Sequence, residues 1–152
     1  MPELPEVETI RQHMIKKVKG KKIENVEIKN GKNIRIISPE QFKEKLKGRV
    51  IEDIQRRGKF LIINLDSDDL LIFHLKLTGR LLFSSVGKKE PKYVRIVFTF
   101  TDKSRLFFAD IRGFADVFLI PRSDVETIPA IKNMGPEPLS PDFNPDKLKQ
   151  IL

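Results

Sequence analysis

The sequence contains no cysteine and only two histidines, His13 and His74. Without cysteine the chain forms no disulfide bond and offers no thiolate ligands for a zinc site. Two histidines do not make a metal centre by themselves. We therefore expect these residues to hold no metal and no other cofactor.

Long hydrophobic runs are also missing. No apolar stretch in the sequence approaches the roughly 20 residues that a helix needs to cross a bilayer. The opening MPELPEVETI has acids and prolines where a secretory signal would have lysines followed by an apolar stretch. These absences predict a cytoplasmic protein.

Positive charge is in excess. The chain has 29 Lys and Arg against 21 Asp and Glu, which gives a formal net charge of +8. Such an excess favours a polyanionic partner, because each phosphate that Lys or Arg neutralises releases a condensed counterion. The alternative is a basic surface that serves solubility alone.

Two helices are predicted. Val7, Ile10, Met14 and Val18 recur at steps of three and four, which predicts a helix over residues 3–19 with one apolar face. The segment Ser38-Pro39-Glu40-Gln41 is typical of a capping box with proline in the first turn. It predicts a short second helix that buries Phe42 and Leu46 and ends at Gly48.

The region from residue 50 to residue 120 is almost entirely β in pattern. Short apolar runs bounded by polar turns predict strands at residues 23–28, 34–37, 50–56, 60–65, 70–75, 80–83, 93–100, 106–110 and 115–120. The 152 residues suffice for one domain with a full core. The fold class is therefore α+β: a mostly antiparallel two-sheet β-sandwich or flattened barrel of about eight strands, flanked by the N-terminal helix and a short second helix.

Prolines accumulate near the end of the sequence, at residues 129, 136, 138, 141 and 145, and indicate a linker. We predict three parts: a sandwich domain over residues 1–132, an interdomain hinge over 133–143, and the first turns of another helix over 144–152. That last helix begins an apolar face and then stops. We therefore infer that a second domain has been removed or was lost.

Pro2 is the first candidate catalytic residue. Removal of Met1 would turn its nitrogen into a secondary amine, and an α-amino group ordinarily has a pKa of about 7.7–8.0, so part of it is neutral and nucleophilic. A secondary amine that condenses with a sugar aldehyde forms a cationic iminium. The iminium acidifies the C2′ hydrogen and allows β-elimination of the strand phosphate. The alternative is a Met-Pro start without functional meaning.

Glu3 and Glu6 are the neighbouring candidates. A carboxyl beside the amine could protonate the sugar ring oxygen or relay a proton to the departing base. The alternative is that these acids only favour the positive end of the helix dipole. Both interpretations stay open on the residues alone.

The nine residues MPELPEVET resemble, without a gap, the N-terminus of the formamidopyrimidine-DNA glycosylase family, bacterial enzymes that remove oxidised purines. Leu4 favours this branch over the related endonuclease-VIII-type enzymes. The resemblance implies a bifunctional glycosylase and AP lyase that forms a Schiff base through Pro2. It also implies base flipping of double-stranded DNA in the bacterial nucleoid, and we expect a monomer.

Further motifs extend the resemblance. Arg57-Gly58-Lys59-Phe60 is similar to the family's arginine-glycine-lysine turn, which implies that Lys59 contacts DNA and assists elimination. The segment from His74 to Gly79 is similar to a family loop that places His74 near a phosphate and an apolar wedge at Leu77. The family usually has methionine at the wedge position and glycine where this chain has Lys76. On the residues alone, Lys59 is a solvated side chain and His74 makes a local hydrogen bond.

The segment Asp110-Ile111-Arg112-Gly113-Phe114 is similar to the family's aspartate-x-arginine-x-phenylalanine segment. The resemblance implies that Arg112 pairs with the orphaned base and that Phe114 wedges between base steps. The alternatives are a surface ion pair of Arg112 with Asp110 and a core position for Phe114. Tyr93 stands where the family commonly has a DNA-contacting histidine; it keeps a hydrogen-bond donor but loses the titratable one.

Residues 133–139 are similar to the family's interdomain hinge. Family members are nearly twice as long, and their second half holds a helix–two-turn–helix module and a four-cysteine zinc finger. The resemblance therefore implies partners in double-stranded DNA that contains oxidised purines or abasic sites. From these residues alone we expect weak nicking of abasic sites at best and no useful excision of 8-oxoguanine. The alternatives are a non-catalytic DNA-binding sandwich and a folded fragment without function.

Overall fold

The structure, a computed structural model, describes residues 4–87 and 89–127. The predicted hinge, the predicted last helix, Pro2 and Glu3 lie outside this part of the chain. Its helices are α1 (Leu4–Val18), α2 (Pro39–Leu46) and two 3-10 turns at Gly31–Asn33 and Arg122–Thr127. Its strands are β1 (Ile23–Ile28), β2 (Ile34–Arg35), β3 (Ile51–Arg57), β4 (Phe60–Leu65), β5 (Asp69–His74), β6 (Gly79–Ser84), β7 (Val94–Phe100), β8 (Arg105–Asp110) and β9 (Asp116–Pro121).

The strands form two sheets. One sheet has four antiparallel strands in the order β1-β7-β8-β6, and the other has five in the order β2-β9-β5-β4-β3. In the second sheet the two-residue strand β2 runs parallel to β9, and the other pairs are antiparallel. The predicted α+β sandwich is confirmed, with nine strands within the described residues rather than about eight, and the sheets do not close into a barrel.

The helices follow the predicted pattern. In α1 the side chains of Val7, Met14 and Val18 are buried in the core. The helix α2 begins as expected: the Ser38 hydroxyl accepts a hydrogen bond from the Gln41 amide at 3.3 Å, and Pro39 is in the first turn. Both helices therefore bury one apolar face on the sheets. No helix in the described part of the chain is long and apolar enough to cross a membrane.

The pairing register brings several connections to one end of the sandwich. His74 at the end of β5 is opposite Asp116 at the start of β9, and Gly79 at the start of β6 is opposite Asp110 at the end of β8. His74 is also opposite Phe60. The loop end therefore contains the turn at residues 58–59, the wedge loop (residues 75–78), the β8–β9 loop (residues 111–115), and Tyr93, which precedes β7.

Candidate nucleic-acid interface

The first turn of α1 lies at the loop end. Glu6 is exposed there and lines an open depression of about 400 Å³ together with Leu77, Gly79 and Arg80. A helix residue and the wedge loop, far apart in sequence, thus face the same space. Pro2 and Glu3 precede this turn but lie outside the described residues, so their predicted roles stay predictions.

Glu8 fixes the position of α1. Its carboxylate accepts hydrogen bonds from Arg56 Nε at 2.9 Å and Arg11 Nη2 at 2.7 Å, and also from Gln12. Arg56 is completely buried in β3. Burial raises the pKa of Glu8, but the bonds from the two arginines and Gln12 outweigh it and lower that pKa to about 2. This anchor was not predicted from the sequence, although Glu8 and Arg11 have the helical i,i+3 spacing that favours such a pair.

Lys59 and His74 meet beside that helix. Lys59 is partly buried in the turn between β3 and β4, and His74 is half-buried at the end of β5. The His74 ring lies on the Phe60 ring, with centroids 4.3 Å apart. Burial lowers the pKa of His74, as do the charges of Lys76 and Lys59, whereas Asp116 raises it. Two lysine charges therefore act on His74 at the loop end.

The wedge loop presents an apolar tip on a constrained backbone. Leu77 is 62% exposed, as its predicted wedge role requires. Gly79 closes the loop: a Cβ there would lie 2.6 Å from the Leu75 carbonyl oxygen and 2.8 Å from the Ala115 Cβ, so a larger residue does not fit. Lys76, at the position where the resemblance implies a glycine, adopts the left-handed conformation with φ 54°. The backbone at residue 76 therefore has the left-handed conformation that favours glycine, although the residue is lysine.

The β8–β9 loop presents the other predicted DNA-contacting residues. Phe114 is 52% exposed, which excludes the alternative core position. Arg112 is also exposed, and among the described residues it has no ion pair with Asp110. Asp110 is instead 1% exposed and turned inward. The surface ion pair considered from the sequence is therefore wrong.

Asp110 joins the two loops. One carboxylate oxygen accepts hydrogen bonds from Asn33 Nδ2 and the Ala115 amide, both at 2.9 Å, and the other accepts a hydrogen bond from the Thr78 hydroxyl. Burial raises the pKa of Asp110, but its bonds from Thr78, the Ala115 and Gly113 amides and Asn33 lower it overall. A single buried carboxylate thus holds the wedge loop and the β8–β9 loop together.

Arg95 contacts the β8–β9 loop with its guanidinium. Its Nε donates to the Asp110 carbonyl oxygen at 2.6 Å, and its guanidinium lies under Gly113. Tyr93 is exposed, has φ 61°, and accepts a hydrogen bond on its carbonyl oxygen from the Asp110 amide at 3.0 Å. Its side chain is therefore exposed at the loop end, and its contact with DNA stays a prediction.

The structure brings six candidates that were proposed from the sequence to one end of the sandwich. They are Glu6, Lys59, His74, Leu77, Arg112 and Phe114, with Tyr93 beside them. The sequence pointed to these residues but not to their common position. It missed the residues that position them. Thr78 and Asp110 stand inside quoted motifs, but nothing in the sequence pairs them with Asn33. Within residues 4–87 and 89–127, no three His, Cys, Asp or Glu side chains converge to hold a metal ion.

Solved structures with this fold include complexes with DNA that contains a lesion or an abasic site. The chain superposes with a TM-score of 0.81 on MutM in complex with carbocyclic 8-oxo-G containing DNA, at 35% identity, over 90% of this chain and 51% of that one. It matches Lactococcus lactis Fpg in complex with abasic site containing DNA equally well, with a TM-score of 0.81 and 34% identity, over 90% and 50% of the two chains. The class is therefore that of the base-excision repair DNA glycosylases.

Sequence relatives specify the family. The family described as Formamidopyrimidine-DNA glycosylase N-terminal domain matches residues 1–117. The chain is 38% identical over 152 residues to formamidopyrimidine-DNA glycosylase of Moorella thermoacetica and 40% identical over 151 residues to that of Geobacillus kaustophilus. This chain belongs to the formamidopyrimidine-DNA glycosylase family and matches its N-terminal domain. It spans about half the length of the curated relatives it matches, 56% and 55% of these two.

Proposed function

We propose that this chain carries the catalytic amine and the base-extruding wedge of a DNA glycosylase and AP lyase that acts on oxidised purines. The observation that carries the proposal is the convergence of α1, the Lys59 turn, His74 and the two exposed loops on one end of the sandwich. Family membership supports the same assignment.

Extrusion of the damaged base is the first proposed step. Leu77 and Phe114 are apolar side chains held out in solvent, where burial between bases would remove them from water. Arg112 is an exposed cation with donors suited to the base left unpaired. Because Asp110 ties both loops together, the three side chains are positioned as one unit before DNA arrives, which reduces the cost of ordering them.

The covalent step is assigned to Pro2. With Met1 removed, the lone pair of the Pro2 nitrogen attacks C1′ and the bond between C1′ and the base breaks. The departing base takes up the proton that the Pro2 nitrogen loses, and Glu3 protonates the sugar ring oxygen as the ring opens. The resulting iminium draws electron density from C2′, loses the C2′ proton, and expels the 3′ phosphate by β-elimination. Glu6 is a second carboxyl in the same helical turn and is proposed to relay protons. The proposed steps use side chains and the terminal nitrogen of the chain itself and involve no bound cofactor.

Lys59 and His74 are proposed to hold the strand at which cleavage takes place. A lysine ammonium is a compact charge suited to a phosphate, and partial burial strengthens its field. The stacking of His74 on Phe60 fixes the ring, so that its nitrogen donates in a set direction. We propose that Lys59 contacts DNA and assists the elimination.

Borohydride trapping on abasic duplex DNA tests the covalent step. The chain without Met1 should form a stable adduct, and the same chain with Met1 retained should not, because its Pro2 nitrogen is an amide. Pro2→Gly keeps a primary amine but loses the ring-held secondary amine, so we expect weaker trapping. Absence of any adduct from the Met1-free chain, with salt-sensitive DNA binding intact, would support the alternative of a non-catalytic binder.

A further inference from the structure

A second cationic site lies beside the wedge loop. The Asp116 carboxylate accepts a bond from Arg35 Nε at 2.7 Å on one oxygen and an ion pair from Lys76 Nζ at 2.9 Å on the other. Two side-chain cations thus share one carboxylate and leave one net positive charge. The Lys76 and Arg35 side chains remain 38% and 42% exposed, so that charge is open to solvent.

The position of this site links it to the DNA-facing residues. Asp116 is directly opposite His74 in the β5–β9 pair, and Lys76 is adjacent to the exposed tip at Leu77. The charges of Lys76 and Lys59 both act on His74 and lower its pKa. A strand that contacts Leu77 and His74 would therefore pass beside the Lys76 ammonium.

Asp116 orients both cations. Arg35 is held at a second point, because its Nη1 donates to the Lys32 carbonyl oxygen at 3.2 Å. A guanidinium and an ammonium fixed side by side are suited to a phosphate, since arginine offers paired donors and lysine adds a point charge. Neither residue belongs to the candidates that the sequence analysis assigned to DNA.

We propose that Arg35 and Lys76, positioned by Asp116, form a binding site for a DNA backbone phosphate next to the wedge loop. The inference rests on the proposed function, because it takes damaged duplex DNA as the ligand. It adds a phosphate contact to that function and assigns a role to the lysine that stands where the family has glycine.

Lys76→Gly tests this proposal, and Lys103→Gly is a matched control. Both lysines have a left-handed backbone, with φ 54° and 72°, so glycine fits both positions. Both ammonium groups are ion-paired. Lys103, in the turn between β7 and β8, pairs with Glu24 of β1, and this pair of one cation with one carboxylate has no net charge. The two variants therefore remove the same charge and relieve the same kind of backbone strain, at different places.

The measurement is fluorescence anisotropy with a duplex that carries an abasic-site analogue, titrated over a series of KCl concentrations. We expect Lys76→Gly to reduce the slope of log affinity against log salt by about 0.9, which is one phosphate contact and about an eightfold loss of affinity at about 0.1 M salt. Arg35→Gln should give a similar loss, and Lys76→Arg should restore the slope. Lys103→Gly should leave slope and affinity unchanged.

Equal slopes and affinities for the Lys76→Gly and Lys103→Gly variants, with tight binding by the unmodified chain, would overturn this inference alone. Failure of the unmodified chain to bind the abasic duplex would overturn the proposed function, and the phosphate site with it. Thermal unfolding of both glycine variants checks that the fold is kept, and we expect similar changes in Tm for the two.

Discussion

We expect the Asp110 carboxylate to contribute more to the free energy of unfolding than an exposed carboxylate does. Asp110→Ala removes an acceptor from two completely buried donors, the Asn33 amide and the Ala115 N–H. It also removes the partner of the Thr78 hydroxyl. An unsatisfied buried donor costs about 1–3 kcal/mol, and Thr78 is close enough to solvent to find water.

From these costs we expect Asp110→Ala to lower the free energy of unfolding by about 3–4 kcal/mol. Thr78→Val removes one donor and leaves the others on the carboxylate, so a loss of about 1–2 kcal/mol is expected. The assay is equilibrium unfolding in urea. A suitable control is Asp66→Ala, since Asp66 is partly exposed, pairs loosely with Arg49 at 3.7 Å and accepts a solvent-accessible bond from the Val50 amide at 3.1 Å. Water replaces that bond when the carboxylate is removed, so the expected cost is about 1 kcal/mol.

The reasoning would be refuted if Asp110→Ala cost no more than Asp66→Ala. A second result bears on the loops. Because Asp110 holds the wedge loop and the β8–β9 loop as one unit, Thr78→Val should weaken borohydride trapping on abasic duplex even where the variant is fully folded. Unchanged trapping by folded Thr78→Val would show that the loops do not depend on this tie.

Further predictions concern pH, charge and backbone. The pKa of Glu8 is lowered from 4.5 to about 2, so the Glu8 carboxylate contributes fully to the free energy of unfolding above pH 4.5, and this contribution is lost as the pH falls towards 2. After solvent screening we expect the contribution to be about 1–2 kcal/mol. Glu8→Gln should abolish this acid dependence in urea unfolding. Lys76→Gly should raise the pKa of His74 towards 6.5 in an NMR titration, because a nearby positive charge is removed; an unchanged pKa would contradict the assigned electrostatics. Gly113→Ala should lower stability by about 1–2 kcal/mol more than Gly87→Ala. Both glycines have positive φ, but only at Gly113 would the new Cβ meet a guanidinium, at 3.1 Å; equal Tm losses would count against that contact.

The elements whose signals are local were predictable from the sequence. The cap at Ser38 and the buried face of α1 both depend on neighbours a few residues apart. The motifs located Lys59, His74, Leu77, Arg112 and Phe114 in loops and at strand ends, and the structure places them together.

What the sequence left undetermined depends on long-range pairing. The parallel pair of β2 with β9 joins residues more than 80 positions apart, and the bond from Asn33 to Asp110 joins residues 77 positions apart. Sequence spacing carries no signal for such contacts. The complete burial of Arg56 was equally hidden, because an arginine in a strand is ordinarily exposed and its partner Glu8 comes from α1.

The account depends most on a covalent bond between the terminal proline nitrogen and deoxyribose. Tandem mass spectrometry of the borohydride-trapped complex, after digestion of protein and DNA, locates that bond directly. The account predicts the reduced sugar on the N-terminal peptide, at the Pro2 nitrogen of Met1-free chain. Adduct found on the Lys59 side chain instead, with Pro2 unmodified, would contradict it.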